Sequence, residues 1–202
     1  GMAPTASAGR GFGSQPGAQN VYDIDSVHLI HAVKTMRDEG RDMSGFELNG
    51  APQMLIGAAE NPFADPFEYR VVRLAKKVAA GADFIQTQCV YDMKRFREWM
   101  GQAYESGLTE KVHILAGVTP LKSARMAKYM ATKVAGIKIP EEMLRRMDGV
   151  AKENMAAEGI RICLETVQEM REIKGLHGIH IMAIEWEDRV PEIVKAAGLY
   201  PR

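Results

Sequence analysis

The sequence predicts a parallel α/β fold, and three observations carry that prediction. Short apolar runs of strand length (Met54–Ala59, Phe84–Gln88, Val112–Ala116 and Ile179–Ile184) alternate with longer stretches of helical periodicity. Helix punctuation, with Asp or Pro at the start and Gly at the exit, separates the two kinds of segment. The second run closes on the polar set Gln86-Thr87-Gln88, which a buried strand tolerates only where those groups find hydrogen-bond partners. In parallel α/β proteins that end of a strand is where ligands bind.

Each element has its own signals. Residues 1–20 are rich in Gly, Ser, Ala, Pro and Gln and read as a flexible arm. A helix begins at Asp25 or Ser26 and runs to Glu39, with Ile30, Val33 and Arg37 marking its turns and Gly40 ending it. Met54–Ala59 has the continuous apolar character of a fully buried parallel strand. Asp65 is placed to cap a helix over Pro66–Ala80, where Pro66 suits the first helical position and Glu68 the positive end of the dipole. Phe67, Val71, Leu74 and Val78 share one face of it, and Gly81 permits a left-handed exit. Asp92 caps the next helix, which carries Phe96, Trp99, Met100 and Ala103 and stops near Gly107. After the strand Val112–Ala116 come helices over Lys122–Lys133 and from Pro140 through Met147. A long helix, Ala151–Lys174, aligns Met155, Ile162, Cys163, Val167 and Met170 before the strand Ile179–Ile184 and a last helix over Arg189–Ala197. No repeat of solenoid period is present.

Composition narrows the function classes. With 202 residues, 46% of them hydrophobic, the chain can bury a sizeable core as one domain. Its 26 basic and 26 acidic residues balance, which gives no electrostatic footprint for nucleic acid or an anionic membrane. No apolar run approaches the roughly 20 residues of a membrane span. Cys89 and Cys163 lack metal-ligand spacing and are expected to stay reduced in a cytoplasmic protein. His28 and His31 share a helix face without a visible third ligand, so no metal site is expected, and His113, His177 and His180 read as structural. The run Gly9-Arg10-Gly11-Phe12-Gly13 fails the phosphate-loop spacing at Ser14.

Six segments in order carry a family resemblance. They are VYDIDS (Val21–Ser26), GAAENPFADP (Gly57–Pro66), KKVAAGADFIQTQ (Lys76–Gln88), GVTPLKS (Gly117–Ser123), GIKIPEEM (Gly136–Met143) and HIMAIEWEDRVPEIVKAAGL (His180–Leu199). Together they resemble methylenetetrahydrofolate reductase from about Gly11 to Leu199, and Trp186 resembles the branch of acetogens and other anaerobes. The resemblance implies a partial TIM (β/α)8 barrel, with residues 1–20 as the arm and 21–202 as the C-terminal half, starting just after the fourth strand. Gly1-Met2 looks like a protease scar before the expressed start. The family's acidic proton donor and the Gly-Asp pair beside its flavin would then lie outside this chain.

The resemblance also implies a cofactor, FAD or else FMN, and a folate substrate. Gln88 matches the family's folate-binding glutamine; its amide both donates and accepts, as reading a pterin edge requires. Gln86 alternates with it and is expected to point the same way. Tyr22, Asp23, Ala59 and Asn61 match flavin-lining positions, and Lys76 and Lys77 the pyrophosphate end of the cofactor. In the folate pocket Met126 and Met130 stand where the family has a glutamine and a phenylalanine, and Trp186 where it has an arginine, which implies a more apolar pocket. Each has a plainer structural role available: a staple for Tyr22, a turn for Asn61, a solvated helix end for the lysines and core positions for the last three. Four strands cannot close an eight-stranded barrel, so the expectation is a homo-oligomer or a second chain supplying the rest. The implied function is flavin-dependent reduction of 5,10-methylenetetrahydrofolate as a partial or split subunit. The alternatives are a catalytically silent flavin- or folate-binding or interaction module, and a reductase whose start was misassigned.

Overall fold

A computed structural model describes residues 23–200. The expected arm, residues 1–20, and Tyr22 lie outside the described residues. Four strands form one sheet in the order β1-β2-β3-β4, with every neighbouring pair parallel. They are β1 (Gly57–Glu60), β2 (Phe84–Cys89), β3 (His113–Val118) and β4 (Gly178–Ile181). The helices are α1 (Ser26–Glu39), α2 (Tyr69–Ala80), α3 (Met93–Glu105), α4 (Ala124–Lys133), α5 (Glu141–Asp148), α6 (Met155–Arg171) and α7 (Val190–Ala196).

One face of the sheet is buried under helices. Ala58 from β1, Ile85 from β2, Ile114, Ala116 and Val118 from β3, and Ile179 and Ile181 from β4 share a core with Leu74 of α2 and Phe96 and Trp99 of α3. Val167 and Met170 of α6 and Ile193 of α7 belong to the same core. Since successive strand residues point to opposite faces, Gly57, Ala59, Phe84, Gln86, His113, Leu115, Gly178 and His180 line the other, inner face. The register agrees, pairing Ala59 with Gln86, Gln86 with Leu115, and Leu115 with Gly178. A second cluster sits over the carboxyl ends of β2 and β3, where Cys89, Tyr91 and Leu121 meet Ala127 and Met130 of α4 and Met147 of α5.

Local signals explain the best-defined elements. Asp25 accepts from the backbone N–H groups of Val27 and His28 to start α1, and Gly40 ends it in the left-handed region. Asp92 accepts from the Arg95 N–H to start α3, and Ser123 caps α4 through the Met126 N–H. Asp83 ties the entry of the sheet together, accepting from the Ile56 N–H at 2.7 Å and from Arg37 of α1 at 2.6 Å.

Several expectations are corrected. The apolar run Met54–Ala59 is not a fully buried strand. β1 begins at Gly57, and Met54 and Leu55 are exposed because β1 is an outer strand covered on one face only. Asp65 does not cap a helix at Pro66; it pairs with Arg95 and Lys138, and α2 starts at Tyr69. The single helix over Ala151–Lys174 is a 3₁₀ turn, Lys152–Asn154, followed by α6, which ends at Arg171. The last strand stops at Ile181 rather than Ile184, and a 3₁₀ turn at Glu187–Arg189 precedes α7. Among the described residues no helix is long and apolar enough to cross a membrane.

Candidate functional site

The inner face is the candidate site, and β2 is its centre. Gln86 is half-buried there, and its Nε2 lies 3.5 Å from Nδ1 of His180 on β4. β3 runs between the two strands, and its Gly117 is paired with His180. A Cβ at Gly117 would lie 2.5 Å from the Thr87 carbonyl oxygen and 2.8 Å from the Met182 methyl group, so no side chain fits at that position. His180, read from the sequence as structural, therefore belongs to the polar inner face. Its partner stands 94 residues away in sequence, and no local signal could have disclosed the pair.

Gln88 sits differently from the simple alternation expected. The β2–β3 register slips between Gln86 and Cys89, a bulge at which Thr87 Oγ1 accepts from the Gly117 N–H at 2.9 Å. Gln88 is half-buried and its Oε1 accepts from the Cys89 N–H at 3.0 Å. That bond fixes the carboxamide and leaves its two N–H donors without a partner among the described residues.

The residues expected at a flavin divide. Ala59 is exposed on the inner face beside Gln86, and its methyl group leaves room for a flat ring. Asp23 is exposed just ahead of α1. Asn61 serves the turn after β1, its Oδ1 accepting from the Phe63 N–H at 3.0 Å while its amide touches Gly136. Lys77 points into the protein: its ammonium donates to Glu60 Oε2 at 2.7 Å and to the Ala59 carbonyl oxygen. Only 6% of its side chain is exposed, so no face of it is open to a phosphate. Lys76 is the member of the pair that solvent reaches.

The expected folate-pocket residues are less uniform still. Met130 is buried in the second core, its Sδ 3.9 Å from the Tyr91 hydroxyl, while Met126 beside it is half-buried. Trp186 is buried in the main core at the carboxyl rim, with the Lys122 ammonium 5.9 Å above its ring. Lys122 also donates to the Glu185 carbonyl oxygen at 3.2 Å, and Glu185 itself has a φ of 52°. No group of three or more His, Cys, Asp and Glu side chains arranged for a metal occurs among the described residues.

Sequential parallel strands, helices on one face and polar groups on the other define part of a (β/α)8 barrel protein. The methylenetetrahydrofolate reductase family profile matches residues 13–198, and the chain belongs to that family. A probable methylenetetrahydrofolate reductase (NADPH) of Caenorhabditis elegans is 23% identical over 190 residues, covering 93% of this chain and 27% of its own. Methylenetetrahydrofolate reductase 2 of Schizosaccharomyces pombe is 27% identical over 184 residues, covering 85% of this chain and 28% of its own. The chain thus spans little more than a quarter of these relatives. Among solved structures, a Clostridium thermocellum protein described as binding two copies of 5-methyl-5,6,7,8-tetrahydrofolic acid superposes with a TM-score of 0.55. That match has 18% identity over 74% of this chain and 54% of the other, and it supports the fold.

Proposed function

We propose that this chain forms the substrate-facing wall of a methylenetetrahydrofolate reductase and takes part in the flavin-dependent reduction of 5,10-methylenetetrahydrofolate to 5-methyltetrahydrofolate. The observation that carries this reading is the inner face itself. Amide and imidazole groups from β2 and β4 stand there beside the small, exposed Ala59, where a flat heterocycle finds both room and hydrogen bonds.

A bound flavin, FAD or FMN, would supply the hydride for the methylene carbon. The ring end of that cofactor fits Ala59, while its phosphates suit Lys76 and not the buried Lys77. Gln88 offers its two free N–H donors to the folate, and Gln86 fixes the neighbouring imidazole. Met126, at the edge of the second core, lines the apolar end of the folate site, with Met130 behind it in that core and Trp186 at the rim in the main core. Holding the two rings in register is the work of such a wall, and restricting their freedom is itself a large part of the rate enhancement.

The second reading, a module that binds flavin or folate without turnover, draws on a different observation. No inner-face position of the four described strands carries a carboxylate, and Glu60, the one acidic residue in those strands, faces α2. The general acid of the reaction would then come from another chain or segment, in a homo-oligomer or a complex.

Titration of the purified chain with FAD and, separately, with 5-methyltetrahydrofolate tests the reading. Saturable binding of both is expected, with Ala59→Trp abolishing the flavin arm and leaving the melting temperature unchanged. A folded chain that binds neither ligand overturns it. Product formation from reduced flavin and methylenetetrahydrofolate by the chain alone would exclude the silent module.

A further inference from the structure

Resting on the reading that this wall takes a folate, we infer that Lys122 is the residue that selects the substrate's anionic tail. A folate ends in a glutamate whose two carboxylates are charged at neutral pH, and a cation suits them beyond the apolar stretch at Met126. Lys122 stands there, in the loop between β3 and α4, at the same carboxyl rim as Gln88. From Ala116 to Leu121 every residue is buried, and Ser123 is half-buried as the cap of α4, so Lys122 is the exposed residue of that loop. Its backbone is anchored, because the Leu121 carbonyl group before it rests against Gly159 of α6.

The ammonium is held in place without being neutralised. It donates to the Glu185 carbonyl oxygen at 3.2 Å and lies 5.9 Å from the centre of the Trp186 ring, the outer limit of a cation–π contact. Neither partner is a carboxylate, and Lys122 makes no ion pair among the described residues, so two of its three N–H donors stay available. Glu185 presents that carbonyl from a φ of 52°, a left-handed backbone that is uncommon for a glutamate and concentrates at ligand sites. Glu185, Glu187 and Asp188 are exposed in the loop after β4, and Arg125 in the first turn of α4. The surrounding charge is therefore mixed, and selectivity comes from direct contact rather than from a long-range field. Adjacent strands lie about 4.8 Å apart, so a ligand whose pterin meets Gln88 at the end of β2 and lies across the strand ends brings its tail to the rim of β3 and β4.

Binding of 5-methyltetrahydrofolate is compared with binding of its diamide, in which both tail carboxylates are neutral carboxamides, for wild type, Lys122→Met and Lys122→Arg. An exposed charge contact supports a preference of about fivefold for the acid at low salt, shrinking as added salt screens it. Lys122→Met keeps the apolar stem and should erase the preference by weakening the acid alone, while Lys122→Arg should retain it. A lysine that merely props Trp186 and the Glu185 loop would shift both ligands together, and that result overturns the assignment. A preference that survives Lys122→Met, or a wild type that binds the two equally, overturns it as well. In each of these cases both ligands still bind, and the proposed function stands. A folded wild-type chain that binds neither ligand sinks the proposed function and the tail assignment with it.

Discussion

Replacing Lys77 by Met strands the Glu60 carboxylate between β1 and α2. The two side chains are 6% and 2% exposed, with the ammonium 2.7 Å from Oε2, and Oε1 accepts from the Asn61 N–H at 3.1 Å. Removing one partner of a pair so buried costs about 3–5 kcal/mol, because the remaining charge keeps its desolvation penalty and loses its counter-ion. An exposed pair such as Arg189 with Glu192 contributes at most about 1 kcal/mol. In a protein of this size each kcal/mol moves the melting temperature by about 2–4 °C, so Lys77→Met is expected to lower it by roughly 6–20 °C. Glu60→Leu combined with Lys77→Met removes both charges and should return stability to within about 2 kcal/mol of wild type. Thermal and urea unfolding followed by circular dichroism supplies the double-mutant cycle. A single-variant loss below about 1 kcal/mol, or a double variant no better than the single, would refute this account and return Lys77 to the candidates for binding an anion.

Three further outcomes are expected. Gly159→Ala, which in an ordinary helix would stabilise by about 1 kcal/mol, should here lower the melting temperature, since its Cβ would collide with the Leu121 carbonyl group in the loop after β3. Cys163, whose thiol burial pushes up to about 11 from 9.0, should resist an aromatic disulfide reagent in the folded chain and react on unfolding. Its contribution to stability is complete below pH 9.0 and is lost as pH rises through 11. Asp38, held down to about 2 from 3.8 by Arg37 and then Lys34, contributes above pH 3.8 and loses that contribution as pH falls through 2; a carboxyl NMR titration reads the midpoint directly.

Much of the fold was legible because the signals were local. Asp25 and Gly40 bracket α1, Asp92 opens α3, and Phe96, Trp99, Met100 and Ala103 are buried as their spacing requires. Where a residue has two available roles, the outcome depends on something remote in sequence. Asp65 looked like a cap but meets Arg95, 30 residues on, and Lys77 looked like a solvated or ligand-binding cation but meets Glu60, 17 residues back. The apolar run at Met54 and Leu55 misled for a different reason: periodicity reports hydrophobicity, not whether a strand has neighbours on both sides. Gln86 and Gln88 were found as a polar strand end, yet the bulge that separates their environments leaves no mark in composition.

Gly117 lets the Thr87 carbonyl oxygen and the Met182 methyl group close over the middle strand. Across it, Gln86 and His180 are chemical neighbours although their strands are not, and the two are bound to change as a unit. A substitution at one leaves the other with an idle polar group on the inner wall. A one-residue slip of β3 would drive the Cβ of Ala116 or Val118 against the Thr87 carbonyl oxygen and the Met182 methyl group, so packing holds the register of the middle strand as firmly as its hydrogen bonds do. The residue that ties the middle strand to its neighbours is the one without a side chain.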